Sequence, residues 1–355
     1  MPSFRRERRV VIWEGYVATP GAERLSSGDI LVTARYPDPD PQQQRIISGI
    51  MRSRDDGRTW TGPVHQVIPS RPDHPTSFLV YYGTAQLQDE TILMPIAGMG
   101  GAQQGVYLSR STDNGESWSV PEPVGREVRD FDWSGLHTYG KIRELSDGTL
   151  ILPVWGRFRG ERVAVSAQLR STDGGHTWDD GVVVARGVIA QNDVIELPDG
   201  RLMAIVASDN SPAGHGMMPL HWTFSEDKGR TWSPLELTMY PIYGHSPALH
   251  LTPKGTLLCS YRWVGDLDQG WCGVGFSDYA HQGDWAGGTW RNNPTMVWST
   301  RSVHEPVTVG RTIGGYSCMI PLDGDRFMVV YFMTWGGNQG EETRDVEGVV
   351  YVEER

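Results

Sequence analysis

Six stretches of the chain repeat one pattern, a turn followed by a run of apolar and β-branched residues: 28–35 (GDILVTAR), 90–97 (ETILMPIA), 148–155 (GTLILPVW), 200–207 (GRLMAIVA), 255–262 (GTLLCSYR) and 324–331 (GDRFMVVY). They recur at intervals of roughly 50 to 70 residues, as supersecondary units do when they stack on their own copies. A short strand-like stretch such as AERL, IREL or VIEL precedes each run, so each copy predicts a hairpin. First strands are expected near 20–25, 82–87, 139–145, 192–197, 247–252 and 316–321.

A second repeat follows the hairpins: Ser53, Asp55, Gly57, Thr59 and Trp60; Ser111, Asp113, Gly115, Ser117 and Trp118; Ser171, Asp173, Gly175, Thr177 and Trp178; Ser225, Asp227, Gly229, Thr231 and Trp232. The pattern suits a turn, because the carboxylate accepts N–H and O–H bonds across it, glycine supplies positive φ and tryptophan packs beneath. Ser277, Asp278, Gly288, Thr289 and Trp290 form a frayed fifth copy, and the sixth unit has none. Residues 348–353 (GVVYVE) and 9–13 (RVVIW) read as the third and outer strands of the last unit, so both ends of the chain are expected to close one ring, a single domain over 1–355.

Composition narrows the function. With 43 Gly and 23 Pro in 355 residues and 38% hydrophobic content, the chain reads as globular and rich in turns. A formal net charge of −11 disfavours nucleic acid and anionic lipid, which need Lys and Arg to replace counterions. No apolar run has membrane-spanning length, and residues 1–13 are basic without a signal-like apolar stretch, so a cytoplasmic location is expected. Cys259, Cys272 and Cys318 fit neither a zinc spacing nor a disulfide frame, so no metal and no cofactor are expected. A homo-oligomer is compatible with the sequence.

The four S-x-D-x-G-x-[TS]-W boxes are similar to the Asp boxes of the sialidase superfamily, and the chain resembles a divergent member of it. The resemblance implies an all-β, six-bladed propeller with four-stranded blades and a carbohydrate substrate. The boxes and hairpin turns would share one face, leaving the opposite face for the site. Residues placed there include His74, His137, His215, His245 and His304, with Tyr82, Tyr139, Trp155 and Trp335, a set able to stack on a sugar ring and read its hydroxyls.

By resemblance, Tyr316 is the counterpart of the family's nucleophilic tyrosine, Asn192 and Asp193 stand where the family has Asn-Glu, Arg35 follows the first hairpin, and Asp38 or Asp40 begins the acid/base loop. A phenol of pKa about 10 needs a nearby base, so a tyrosine and carboxylate pair is coherent. The family's three-arginine grip on the substrate carboxylate is incomplete: Val17 and Ser208 occupy two of its places, while Arg157, Arg159 and Arg262 offer another grip. The favoured reading is therefore a glycoside hydrolase acting on a non-sialic or unusual acidic sugar, with Tyr316, Asp193, His137 and Asp38 catalytic. Arg35, Tyr82, Tyr139, Trp155, Arg157, Asn192, His245, Arg262 and Trp335 would bind substrate. Two other readings stand beside it: a polysaccharide lyase using His and Tyr on a uronate, and a carbohydrate-binding propeller without catalysis.

Overall fold

The computed structural model describes residues 3–14, 18–37, 40, 42, 46–65, 78–80, 83–98, 105–124, 131–138, 140–179, 181–187, 192–207, 220–237, 244–264, 272–280, 314–336 and 342–354. These form strands and turns only, arranged in six antiparallel sheets of a β-propeller. In chain order the sheets are headed at the axis by Ala18–Arg24, Ala85–Gln86 with Phe78–Val80, Arg143–Glu144 with Phe131–Thr138, Asn192–Glu196, Gly244–Leu251 and Gly314–Pro321. Those heads fall where the hairpin pattern put the first strands. Strand number departs from the expected uniform four. The second and third sheets have five, because the incoming chain pairs in two pieces, and the fifth has three among the described residues. Five sheets thus carry the strands of a complete blade. In the last sheet the C-terminal strand Glu342–Glu354 pairs on one side with Arg326–Gly336 and on the other with the N-terminal Ser3–Trp13.

The sheets stand face to face, so central strands lose the alternation of a half-exposed sheet. Every residue of Leu202–Ala207 is buried. Six apolar clusters fill the junctions, each drawn from two neighbouring sheets. Leu93 of the second sheet packs with Leu152 of the third, Met51 of the first with Met328 of the last, and Leu258 of the fifth with Phe327 of the last.

The boxes close turns as their chemistry dictates. In the first, Ser53 Oγ donates to Asp55 Oδ1 at 2.9 Å and accepts from the Gly57 amide at 2.9 Å, while Asp55 accepts from the Thr59 amide and hydroxyl at 2.8 and 2.6 Å. The Thr59 hydroxyl and amide hold the Asp55 carboxyl down to about 2. The boxes at Asp113, Asp173 and Asp227 repeat this geometry. Gly115 shows why glycine is needed: its φ is +79°, and a Cβ would sit 2.9 Å from Leu31 of the preceding sheet.

Two rings of polar stitches join neighbouring sheets on this face. In one, two arginines that precede box serines reach the next box, Arg52 Nη2 donating to Asn114 O at 2.7 Å and Arg110 Nη1 to Gly174 O at 2.8 Å, while Arg8 of the N-terminal strand donates to Asp56 O of the first box. In the other, the last residue of an inner strand binds the preceding sheet's turn: Gln86 Oε1 accepts from Ser26 N at 2.6 Å, Glu144 from Gln88 N at 2.7 Å and Glu196 from Ser146 N at 2.7 Å. Arg24 extends the series by donating to Asp323 at 2.6 Å. Most acceptors and donors in the turns are backbone groups, so the stitches survive changes of turn sequence.

His250, on the inner strand of the fifth sheet, is buried beside Phe327 with ring centroids 6.0 Å apart. Burial, reinforced by the positive charges of Arg143 and Lys141, lowers its pKa to about 3. The folded chain therefore keeps this ring neutral while the unfolded chain protonates it near 6.5. Its contribution is complete above pH 6.5 and is lost as pH falls toward 3, with a slope of up to about 1.4 kcal/mol per pH unit. His250→Gln should flatten the pH dependence of unfolding free energy between pH 7 and 5, measured by urea titration; equal slopes in both proteins would contradict this.

Candidate functional site

The inner strands converge on a small, partly open cavity at the propeller axis. Ala22, Gly83, Lys141, Asp193, Ser246 and Ser317 line it, one from the inner strand of each sheet or the residues leading into it. Four of these entry segments break register: between Ala18 and Gly21, Asp132 and His137, His245 and Ala248, and Gly315 and Cys318. Such irregularities re-aim side chains at the rims of sheets. At one of them Ser246 has φ +54°, a left-handed conformation for a non-glycine residue.

Asp193 is the hub of the cavity wall. Its carboxylate is buried and accepts four hydrogen bonds: Oδ1 from the Lys141 and Val194 amides at 3.2 and 2.9 Å, Oδ2 from Arg143 Nη2 at 2.9 Å and the Leu249 amide at 2.7 Å. Arg143 extends the tie by donating from Nε to Val194 O at 2.9 Å and from Nη2 to Leu249 O at 2.7 Å. Three neighbouring sheets are joined through this pair. A carboxylate offers about four lone-pair positions, and four donors meet Asp193 here. A second ion pair, Lys141 Nζ with Glu23, crosses from the third sheet to the first.

Of the residues singled out in the sequence, Asp193 lines the cavity, and Tyr316 and His245 immediately precede its lining residues Ser317 and Ser246. The Tyr316, His245, Arg262 and Trp335 side chains, and all of Asp38, Tyr82 and Tyr139, lie outside the described residues. His137 is half-buried and stacks on Trp155 of the adjacent strand at 4.6 Å; burial lowers its pKa. It is not among the residues lining the axial cavity. Asn192 is buried and gives its amide N–H groups to Val154 O at 3.2 Å and to Ser166 Oγ, which tie it to the third sheet. Arg157 is exposed on its strand and Arg35 is half-buried.

Glu23, Lys141 and Arg143 were missed. Their signal was present: AERL and KIREL put charges into strands that the repeat places at the axis. Cys318 also lines the cavity, but burial pushes its thiol up to about 12, which leaves no thiolate nucleophile near neutral pH. Among the described residues no group of three or more His, Cys, Asp or Glu is placed to hold a metal ion.

If Asp193 is the hub, losing its charge leaves Arg143 unpaired and turns an amide N–H against backbone donors. Asp193→Asn should cost about 3 to 5 kcal/mol of unfolding free energy. Arg143→Met should cost less, because three backbone amides still satisfy the carboxylate. Chemical denaturation of both variants checks this, and an Asp193→Asn protein as stable as the parent would refute the hub.

Comparison with known proteins places this geometry. Residues 97–262 match the BNR repeat-like domain. A sialidase of Bacteroides fragilis is 26% identical over 61% of this chain and 43% of its own length; a sialidase of Clostridium perfringens is 26% identical over 69% of this chain and 66% of its own length. The chain thus spans less than two thirds of either relative. Among solved structures, a Dyadobacter fermentans protein of unknown function superposes over the whole of both chains with a TM-score of 0.72 at 20% identity. A Hadza microbial sialidase follows at 0.66 and 19% over 93% of this chain and 65% of that one, and a Penicillium chrysogenum α-L-arabinanase at 0.61 and 16% over 96% and 98%. At these identities the structural likeness is one of fold. Repeat-domain match, relatives named sialidases and a shared propeller fold together make this chain similar to the sialidase-like superfamily.

Proposed function

We propose that the chain is a sialidase-like glycoside hydrolase acting on a non-sialic or unusual acidic sugar, bound at the axial cavity of a six-bladed ring in which the three-stranded sheet is the sixth blade. One observation carries the reading: a cavity with charged and hydroxyl groups from several sheets, lined by the residue next to Tyr316. The curated relatives named sialidases and the arabinanase neighbour support glycoside hydrolysis.

In this reading Tyr316 gives up its phenolic proton and attacks the anomeric carbon as the glycosidic bond breaks, the departing oxygen taking a proton from an acid/base partner; water then attacks the same carbon of this glycosyl-tyrosine, the exception to two-carboxylate hydrolysis, releasing the sugar and restoring the phenol. Asp193, its acceptor sites filled, acts as a fixed negative charge at the cavity. The proton partner is drawn from Asp38, Asp40 or His137.

Fluorogenic glycosides of glucuronic, galacturonic and sialic acid test the proposal directly. Hydrolysis of a uronide with negligible sialic acid release is expected, and Tyr316→Phe should keep the melting temperature while cutting turnover at least about a hundredfold. Full activity in a well-folded Tyr316→Phe protein would remove the tyrosine mechanism, and unsaturated, ultraviolet-absorbing products would make the enzyme a lyase.

A further inference from the structure

The two ion pairs at the axis are lopsided in one respect. In each, the carboxylate is the less exposed partner: side-chain exposure is 23% for Lys141 against 10% for Glu23, and 18% for Arg143 against 2% for Asp193, and both cations line the cavity. The carboxylates are also satisfied from elsewhere. Asp193 takes three backbone amides besides Arg143, and Glu23 accepts from the Gln86 amide at 3.3 Å. The cations keep donors in hand. Lys141 Nζ spends one of its three N–H groups on Glu23, and Arg143 uses Nε and Nη2 but not Nη1 among the described residues.

We propose that Lys141 Nζ and the Nη1 edge of Arg143 form the seat for the carboxylate of an acidic sugar, on the inner strands of the propeller. The inference rests on the reading of the axial cavity as a sugar site and names what that site selects. Around the two cations the wall is Ala22, Pro247, Leu249 and Met319, with Asp193, Ser246 and Ser317 beside them; the Ser317 hydroxyl donates to Ser260 Oγ at 2.8 Å. An apolar wall weakens the competition from water, so a charge-assisted contact counts for more there than at the surface. The fixed strands also hold the cations: Arg143 is pinned by three hydrogen bonds to Asp193, Val194 and Leu249 before any ligand arrives. Binding then requires little ordering of the guanidinium. Lys141 bridges, with Glu23 on one side and the ligand on the other.

Isothermal titration with methyl glycosides separates this role from catalysis, since it reads binding without turnover. Methyl glucuronoside and methyl galacturonoside are each paired with the matching neutral glucoside and galactoside. At least one uronoside should bind tenfold or more tighter than its neutral mate. Lys141→Met should abolish that preference and Lys141→Arg should keep it. Glu23→Gln should strengthen uronoside binding several-fold by removing the carboxylate that competes for Lys141, an effect that a merely structural ion pair would not produce. Melting temperatures of all variants confirm folding. Equal binding of uronosides and neutral glycosides, no binding of either uronoside, or a preference that survives in folded Lys141→Met overturns the proposal. Failed hydrolysis with intact uronoside preference would instead sink the hydrolase reading and leave the carboxylate seat standing.

Discussion

One buried carboxylate organises the centre of this molecule. Asp193 accepts hydrogen bonds from the third, fourth and fifth sheets at once, and Arg143 locks the same three strands by donating to their carbonyls. An ionised group can be held away from water only when its acceptor sites are filled, and here backbone amides fill most of them. The arrangement fixes where the inner strands stand relative to one another. It therefore fixes the shape of the cavity they enclose and the direction in which Lys141 and Arg143 present their remaining donors.

The rest of the fold divides labour between the two ends of the axis. On the box face, arginines reach backbone carbonyls and inner-strand side chains reach turn amides of the neighbouring sheet, from Arg52 with Asn114 to Glu196 with Ser146. Apolar clusters at the junctions supply the bulk of the packing. Because these contacts repeat from sheet to sheet, the opposite ends of the inner strands are free to carry register shifts and unusual backbone, as at Ser246. Rigid repetition at one end permits variation at the other, which is how one propeller scaffold hosts different chemistries.

Much of this was legible in the sequence. The apolar runs and boxes placed the inner strands and turns, because hairpin glycines and the Ser-Asp-Thr hydrogen bonds are local and depend on spacing alone. The apolar stretch Arg9 to Trp13 read as the outer strand of the last unit, and it pairs with the C-terminal strand. The site was legible only in part. Asp193 was found at the axis, yet its saturation by four donors depends on amides of Lys141 and Leu249, far away in the chain. The bonds of Asn192 to Val154 and Ser166 were not legible, because nothing local reveals that those residues lie opposite it. Lys141 and Arg143 went unnoticed because charged residues in a strand ordinarily face solvent. Their meaning comes from the ring, which turns the edge of an inner strand into the wall of a cavity.

The central claim is that function resides at the axial cavity, with the substrate's charge met by inner-strand cations. A crystal structure of the full chain soaked with methyl glucuronoside or methyl galacturonoside tests it most directly. The sugar should occupy the axis with a carboxylate oxygen within hydrogen-bonding distance of Lys141 Nζ and its anomeric carbon facing Tyr316. Sugar seated between the outer strands or on the box face, with the axial cavity empty, would contradict it.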